Sequence, residues 1–155
     1  MRQTAADRLL ELARSRIERL SPEAAWGGVQ SGTVHLVDIR SGETRARDGV
    51  VTGSVHVPRT VLEWRLDPES PWRNPHVAGS GRRMVVVCDH GWSSSLAAAS
   101  LVDLGYPDAT DVEGGIEAWG QAGLPLAHAR DTELLPGELP GMRSPCSCCA
   151  GLGIR

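Results

Sequence analysis

The chain has 155 residues, a net charge of −3 and an apolar content of 41%, which suits one α/β domain with short extensions. It lacks the ~18-residue apolar run of a membrane span, the apolar segment of a secretory signal and the basic face of a nucleic-acid binder. We therefore expect a cytoplasmic protein without membrane or nucleic-acid partners. In that reducing compartment its four cysteines should be thiols, metal ligands or redox-active groups.

Residues 4–20 have the spacing of an amphipathic helix, with Thr4 and Asp7 as a candidate capping box. We expect its apolar stripe to cap the sheet, because an exposed stripe of that length is a liability for a monomer. The alternative is that the stripe binds a partner. The stripe comprises Ala6, Leu9, Leu10, Ala13, Ile17 and Leu20.

After this helix, the pattern alternates between helices and strands. A short helix is predicted after Ser21, the N-cap, with Pro22 at its first position and with glycines 27, 28 and 32 ending it. Buried strands are predicted at 34–39, 54–58, 84–87 and 109–112. This alternation predicts a parallel sheet covered on both faces, with a ligand site at the carboxyl ends of its strands.

Cys88 lies at one of these strand ends. It follows the strand Met84–Val87 and precedes a predicted helix, Ser93–Leu104, that ends at Gly105. Gly91 allows the connecting loop to turn several backbone N–H groups inward. With the helix N-terminus also aimed at it, the Cys88 thiol should ionise readily and act as a nucleophile. The alternative is a buried core cysteine.

Residues 127–155 contain Pro and Gly at intervals that interrupt every element, so we expect a mobile tail. Cys146, Cys148 and Cys149 in this tail could take sulfur from Cys88, resolve it by disulfide exchange, bind a soft metal, or have no role. Their C-x-C-C spacing lacks the paired C-x2-C of a structural zinc site. We predict neither a metal nor a cofactor.

Three stretches in order resemble the single-domain rhodanese-like sulfurtransferases: "LVDIRSGETRARDGVVTGSVHVP", "VVVCDHGWSSSLAAASLVDLGY" and "DVEGGIEAWGQAGLPL". The resemblance spans 21–126, which divides the chain into an N-terminal helix (1–20), this domain, and the tail (127–155). It implies an α/β fold with a five-stranded parallel sheet flanked by helices on both faces. It also implies that Cys88 is the nucleophile that forms a persulfide.

The resemblance implies that the loop residues surround the transferred sulfur. Backbone N–H groups there could hold negative charge, so Gly91 matters most for the loop's shape. His90 could donate a proton or be polar loop only, and Trp92 could roof the pocket or pack on the next helix. These loop residues are Asp89, His90, Gly91, Trp92 and Ser93.

Two departures from the family pattern concern anionic donors. Many members have Arg where this chain has Ser93, and Asp89 adds a negative charge. An anionic donor should therefore bind weakly unless another cation reaches in, for which Arg59 and Arg65 are candidates; a solvated surface role is the alternative. Asp38 and Arg40 are expected to brace loops. Glu113, Gly114 and Gly115 are expected to shape the turn before the last helix.

The predicted function is transfer of a sulfane sulfur from a donor such as thiosulfate to a thiol or cyanide, through Cys88. Its partners would be a small sulfur donor and a thiol or protein acceptor. A silent rhodanese-like binding module is the first alternative, but many silent versions lose the thiol. A cysteine phosphatase is the second, but its Cys-x5-Arg clamp is missing because Ser94 occupies that position.

Overall fold

A computed structural model describes residues 2–129, in which helices and strands alternate along the chain. The helices are α1 (Ala5–Arg14), α2 (Pro22–Ser31), α3 (Gly42–Asp48), α4 (Leu62–Leu66), α5 (Ser93–Leu104) and α6 (Gly115–Gln121), with a 3-10 turn at Arg59–Val61 before α4. The strands are β1 (Val34–Asp38), β2 (Val55–His56), β3 (Arg83–Val87) and β4 (Thr110–Asp111).

The sheet is parallel throughout, with the strand order β2-β1-β3-β4. It therefore has four strands in the described part of the chain, and the expected number of five is wrong. The fifth position, beside β4, is reduced to one parallel bridge between Leu20 and Val112. Ser21 directly after Leu20 is the N-cap of α2, so the chain turns into a helix before a strand can extend.

Helices cover both faces of the sheet, as predicted. Side chains alternate along β3, so Met84 and Val86 face one cluster and Val85 and Val87 the other. The first cluster includes residues of α4 and α5, and the second includes residues of α2 and α6. Because all four strands are buried between these layers, their carboxyl ends form the edge where loops can build a site.

The N-terminal helix is shorter than predicted. The capping box of Thr4 and Asp7 is present, but α1 ends at Arg14. The helix packs against α5, with Ala13 buried and the following Ile17 against the core. Leu9 is 60% exposed, so its assignment to the buried stripe is wrong.

The predicted helix caps agree with the structure better than the predicted strand lengths do. Ser21 caps α2 and Pro22 occupies its first position, although α2 continues through glycines 27 and 28 to its C-cap at Gly32. α5 ends at Gly105 as predicted. β2 and β4 have two residues each, because only those residues find ladder partners on β1 and β3.

Ala127 is tied to the domain by an antiparallel bridge to Val50, so the first residue of the predicted tail contacts the body of the fold. The expectations for the rest of the tail, including its three cysteines, fall on residues 130–155 and lie outside the described residues. Among the helices of residues 2–129, none has the length and hydropathy needed to cross a bilayer.

Candidate active site

Cys88 is the first residue after β3 and is 6% exposed. Its carbonyl oxygen accepts the N–H of Ile116 at 2.9 Å, and the next carbonyl, that of Asp89, accepts the N–H of Glu117 at 3.1 Å. The first turn of α6 therefore holds the backbone on which the thiol is mounted.

The sulfur of Cys88 lies inside a turn of backbone donors. The N–H of Gly91 is 3.2 Å from Sγ and the N–H of Ser94 is 3.3 Å from it. The Ser94 hydroxyl oxygen is also 3.2 Å from Sγ. Two N–H donors that converge on one atom can hold negative charge on it, as other helix N-termini hold anions.

Gly91 is required at its position for two reasons. Its φ of +78° lies in the left-handed region, and a Cβ there would lie 2.8 Å from the backbone nitrogen of Gly114. Gly115 is still more confined, because a Cβ would lie 2.4 Å from the carbonyl oxygen of Cys88. The glycine pair after Glu113 thus does more than shape the turn, since it lets α6 approach the loop closely.

A buried polar cluster lies behind the sulfur, and the sequence analysis missed it. Asp111, at the end of β4, is fully buried. Its Oδ2 accepts hydrogen bonds from the hydroxyls of Ser94 and Ser95, each at 2.8 Å. The sequence does contain a signal for this cluster, namely an aspartate in a strand whose other residues suit burial. A buried carboxylate needs hydrogen-bond partners, so polar groups were to be expected around it.

The N-terminal segment reaches the same cluster through two arginines that the sequence analysis also missed. Arg19 binds Asp111 with Nε 2.8 Å from Oδ1 and Nη2 3.1 Å from Oδ2. Arg14 and Arg19 both donate to the carbonyl oxygen of Gly91, at 2.8 and 3.1 Å. Burial, followed by the charge of Arg19, lowers the pKa of the Arg14 guanidinium. The sequence signal for these contacts was the position of Arg14 and Arg19, one at each end of the turn after α1.

The predicted loop side chains face outward. Trp92 is 65% exposed, and His90 Nδ1 lies 2.8 Å from Glu117 Oε2 in an exposed pair. With Gly114 they line an open cleft of about 420 Å³. Trp92 thus borders this cleft, and its role as a roof over the sulfur stays a prediction. Ser93 is exposed and Asp89 is half-buried.

Both candidate substrate arginines are engaged by protein groups. Arg59 Nη1 donates to Glu63 Oε1 at 2.8 Å, and Arg65 Nη1 donates to the carbonyl oxygen of Trp72 at 2.7 Å. Their contact with a donor stays a prediction, and it would require these bonds to be shared or exchanged.

Asp38 and Arg40 form a buried ion pair at the end of β1, and their role in bracing loops stays a prediction. Arg40 contacts both carboxylate oxygens of Asp38, at 3.0 and 2.7 Å, and Arg45 adds a bond of 3.1 Å. Arg40 also donates to the carbonyl oxygen of Gly49 at 2.8 Å. Burial alone would raise the pKa of Asp38, but the bonds and charges of the two arginines outweigh it and hold the pKa below its usual value.

Among residues 2–129, no group of three or more His, Cys, Asp or Glu side chains is arranged to hold a metal ion. The groups around the Cys88 sulfur are its two backbone donors and, behind them, the buried carboxylate of Asp111.

Comparison with known protein families shows which family this chain matches. The model of the rhodanese-like domain matches residues 21–122. The chain belongs to the rhodanese-like domain family. The matched range of this rhodanese-like domain includes Cys88, its loop and Asp111, and it begins after both Arg14 and Arg19.

Curated relatives of this rhodanese-like chain include two bacterial proteins named thiosulfate sulfurtransferase GlpE. The one from Pseudomonas savastanoi pv. phaseolicola is 37% identical over 68% of this chain and 89% of its own length. The one from Actinobacillus succinogenes is 32% identical over 71% of this chain and 90% of its own length.

Among solved structures, a Rhodopseudomonas palustris protein of unknown function is similar to the chain, with a TM-score of 0.74 and 36% identity. The match covers 82% of this chain and 99% of that one. That protein is described as a possible tyrosine phosphatase.

Proposed function

We propose that this chain is a sulfurtransferase that carries a sulfane sulfur on Cys88 between a donor such as thiosulfate and a thiol or cyanide acceptor. The observation that carries the proposal is the pair of N–H groups, from Gly91 and Ser94, that lie 3.2 and 3.3 Å from the Cys88 sulfur. The names of the GlpE relatives agree with it. We also infer a cytoplasmic setting, where a free thiol persists.

The chemistry needs one nucleophile and no external oxidant. The Cys88 thiolate attacks the outer sulfur of thiosulfate, a new S–S bond forms, and the old S–S bond breaks with its electron pair leaving on sulfite. An acceptor thiolate or cyanide then attacks the terminal sulfur, and the Cys88 thiolate departs. The second step restores the starting enzyme.

The loop can stabilise the charged terminal sulfur of the persulfide. The backbone N–H groups of His90, Trp92 and Ser93 have no acceptor among the described residues, and Trp92 and Ser93 lie at the start of α5. Donors at a helix N-terminus favour an anion. We therefore infer that these groups hold the terminal sulfur while Gly91 and Ser94 hold Sγ.

The test is the mass of the intact protein after exposure to thiosulfate. We expect a gain of about 32 Da, one sulfur, that disappears when cyanide is added and appears as thiocyanate. Cys88→Ser should abolish the gain. A matched variant with Cys146, Cys148 and Cys149 all changed to Ser should keep it.

Failure of the wild type to take sulfur from thiosulfate, mercaptopyruvate and a persulfidated protein would overturn the enzyme proposal. The silent binding module would then be the better function. The Cys88→Ser protein would in that case bind any partner as the wild type does.

A phosphatase function has less support, although one structural relative is described that way. Ser94 occupies the position of the clamping arginine, and its hydroxyl is bonded to the buried carboxylate of Asp111. Hydrolysis of p-nitrophenyl phosphate should be absent under conditions where thiosulfate is turned over. Hydrolysis that depends on Cys88 would reverse this conclusion.

A further inference from the structure

The carbonyl oxygen of Gly91 is held by more donors than a loop carbonyl usually has. Arg14 Nη2 lies 2.8 Å away and Arg19 Nη2 3.1 Å away. The Ser95 hydroxyl oxygen is also 3.0 Å away, but its one proton is directed to Asp111 at 2.8 Å. The guanidinium groups come from residues on either side of the turn that follows α1. Bonds from charged donors are stronger than those between neutral groups, so this oxygen is firmly fixed.

Fixing this oxygen fixes the donors on both sides of it. The Gly91 N–H points at the Cys88 sulfur. The next N–H, of Trp92, belongs to the same planar peptide as the Gly91 oxygen and points the opposite way. Because the two arginines lie beside the Gly91 oxygen, the Trp92 N–H is directed away from them.

Arg19 has a second effect, on charge. Asp111 is fully buried and lies one hydroxyl from the sulfur, since Ser94 Oγ is 2.8 Å from Oδ2 and 3.2 Å from Sγ. Without a partner, a buried carboxylate at this place would oppose a thiolate or persulfide anion. The two bonds from Arg19 neutralise it.

The fold places these arginines and holds them there. α1 packs on α5, which brings Arg14 over Ser95, and its Nε donates to the Ser95 hydroxyl at 3.1 Å. The bridge of Leu20 to Val112 places Arg19 beside Asp111. Both arginines precede the residues 21–122 that match the family model, so they lie outside the range of that model.

We propose that Arg14 and Arg19 of the N-terminal segment are positioning residues for the Cys88 loop, setting the direction of its N–H donors and balancing the charge of Asp111. The inference rests on the proposed sulfur transfer for its biological meaning. Its physical content is the reactivity of one thiol, which can be measured separately.

The same segment supplies a matched control. Arg16 lies between the two positioning arginines and pairs with Asp103 on the surface, where both side chains are exposed. Arg16→Gln removes the same charge from the same segment without touching the loop. Its effect on the site should therefore be small.

The first measurement is the pH profile of Cys88 alkylation by iodoacetamide, in full-length protein whose three tail cysteines are changed to Ser. For Arg19→Gln we expect the profile to move to higher pH by about one unit, because Asp111 is left unneutralised. Arg14→Gln should move it less, and Arg16→Gln should leave it unchanged. In Arg19→Gln combined with Asp111→Asn, the profile should return toward the wild type.

The second measurement is turnover of thiosulfate and cyanide. Because both guanidinium groups are bonded to protein atoms, we expect kcat to fall by about tenfold in Arg19→Gln with little change in the KM for thiosulfate. A rise in KM alone would mean that the arginines contact the donor, and it would overturn the proposal.

The proposal also fails if folded Arg14→Gln and Arg19→Gln proteins keep the wild-type alkylation profile, whatever their melting temperatures. If Arg19→Gln does not fold, Arg19→Lys serves instead. A lysine keeps the charge but not the two-pronged bond, so a profile identical to the wild type's with kcat still reduced is the expected result. An Arg19→Lys protein that keeps both the wild-type profile and the wild-type kcat would count against a positioning role. A wild type that is alkylated normally but takes no sulfur would refute only the proposed function.

Discussion

The two sides of the Cys88 loop differ sharply in how they are held. The outer side carries Trp92, 65% exposed, and the exposed pair of His90 and Glu117. The inner side is buried, and Asp111 accepts bonds there from two serines and an arginine. We infer that the inner side fixes the geometry around the sulfur, while the outer side contacts the donor. Substitutions on the outer side should therefore lower the free energy of unfolding less than those on the inner side.

The largest effect should come from a methyl group added on the inner side. In Gly115→Ala the new Cβ would meet the Cys88 carbonyl at 2.4 Å in a backbone with φ of +63°. We expect the free energy of unfolding to fall by about 4 kcal/mol, since overpacking and a left-handed conformation add. Unfolding by denaturant measures this fall in the free energy of unfolding.

Gly120→Ala is the control for this change, because it lies in the same helix with nothing within 4 Å of its Cβ position. That variant should be more stable than the wild type by about 0.5–1 kcal/mol. Equal losses of unfolding free energy at both glycines would show that α6 tolerates no alanine at either position. The crowding at Gly115 would then not explain its effect.

The same contrast between buried and exposed groups applies to two carboxylates near the loop. Asp38→Asn leaves the buried charges of Arg40 and Arg45 without their counter-ion, with side chains 0% and 9% exposed, and should cost about 3 kcal/mol near neutral pH. The pKa of Asp38 is lowered in the folded state, so its contribution is complete above the unfolded value of about 3.9 and is lost as pH falls through the folded pKa.

The gap in unfolding free energy between wild type and Asp38→Asn should therefore be constant from about pH 5 upward and shrink in stronger acid. Asp48→Asn is the comparison, because its pair with Arg47 lies at the surface and should contribute little at any pH. A gap that widens in acid would show that Asp38 does not ionise as described.

The smallest effect should come from the outer side. Ser93 is exposed at the start of α5, so Ser93→Arg should fold normally and add a cation beside the loop. We expect the KM for thiosulfate to fall by about three- to fivefold and that for a neutral thiol-acid donor to stay the same, with the gain weakened by salt. An unchanged KM for both donors would mean that position 93 points away from the donor.

The sequence predicted the features that depend on local chemistry. The turn at Gly91, the helix from Ser93 to Gly105 and the pairing of Asp38 with Arg40 follow from residues close together in the chain. The contacts of Arg19 with Gly91 and Asp111 do not, because they join residues 72 and 92 positions apart.

The missed contacts and the missed exposure of Leu9 have the same cause. An amphipathic pattern gives the spacing of a helix but neither its end nor its neighbour. Once α1 ends at Arg14 and lies against α5, Leu9 turns to solvent and the arginines turn inward. Only the packed fold determines that.

The single bridge between Leu20 and Val112 bears on when the site is assembled during synthesis. Arg19 leaves the ribosome long before Asp111, and the chain between them includes every strand of the sheet except the end of the last. Such long-range contacts form late in folding. The nascent chain therefore exposes Cys88 before Arg19 can bind Asp111, and the complete set of contacts around the loop exists only once β4 has joined the sheet.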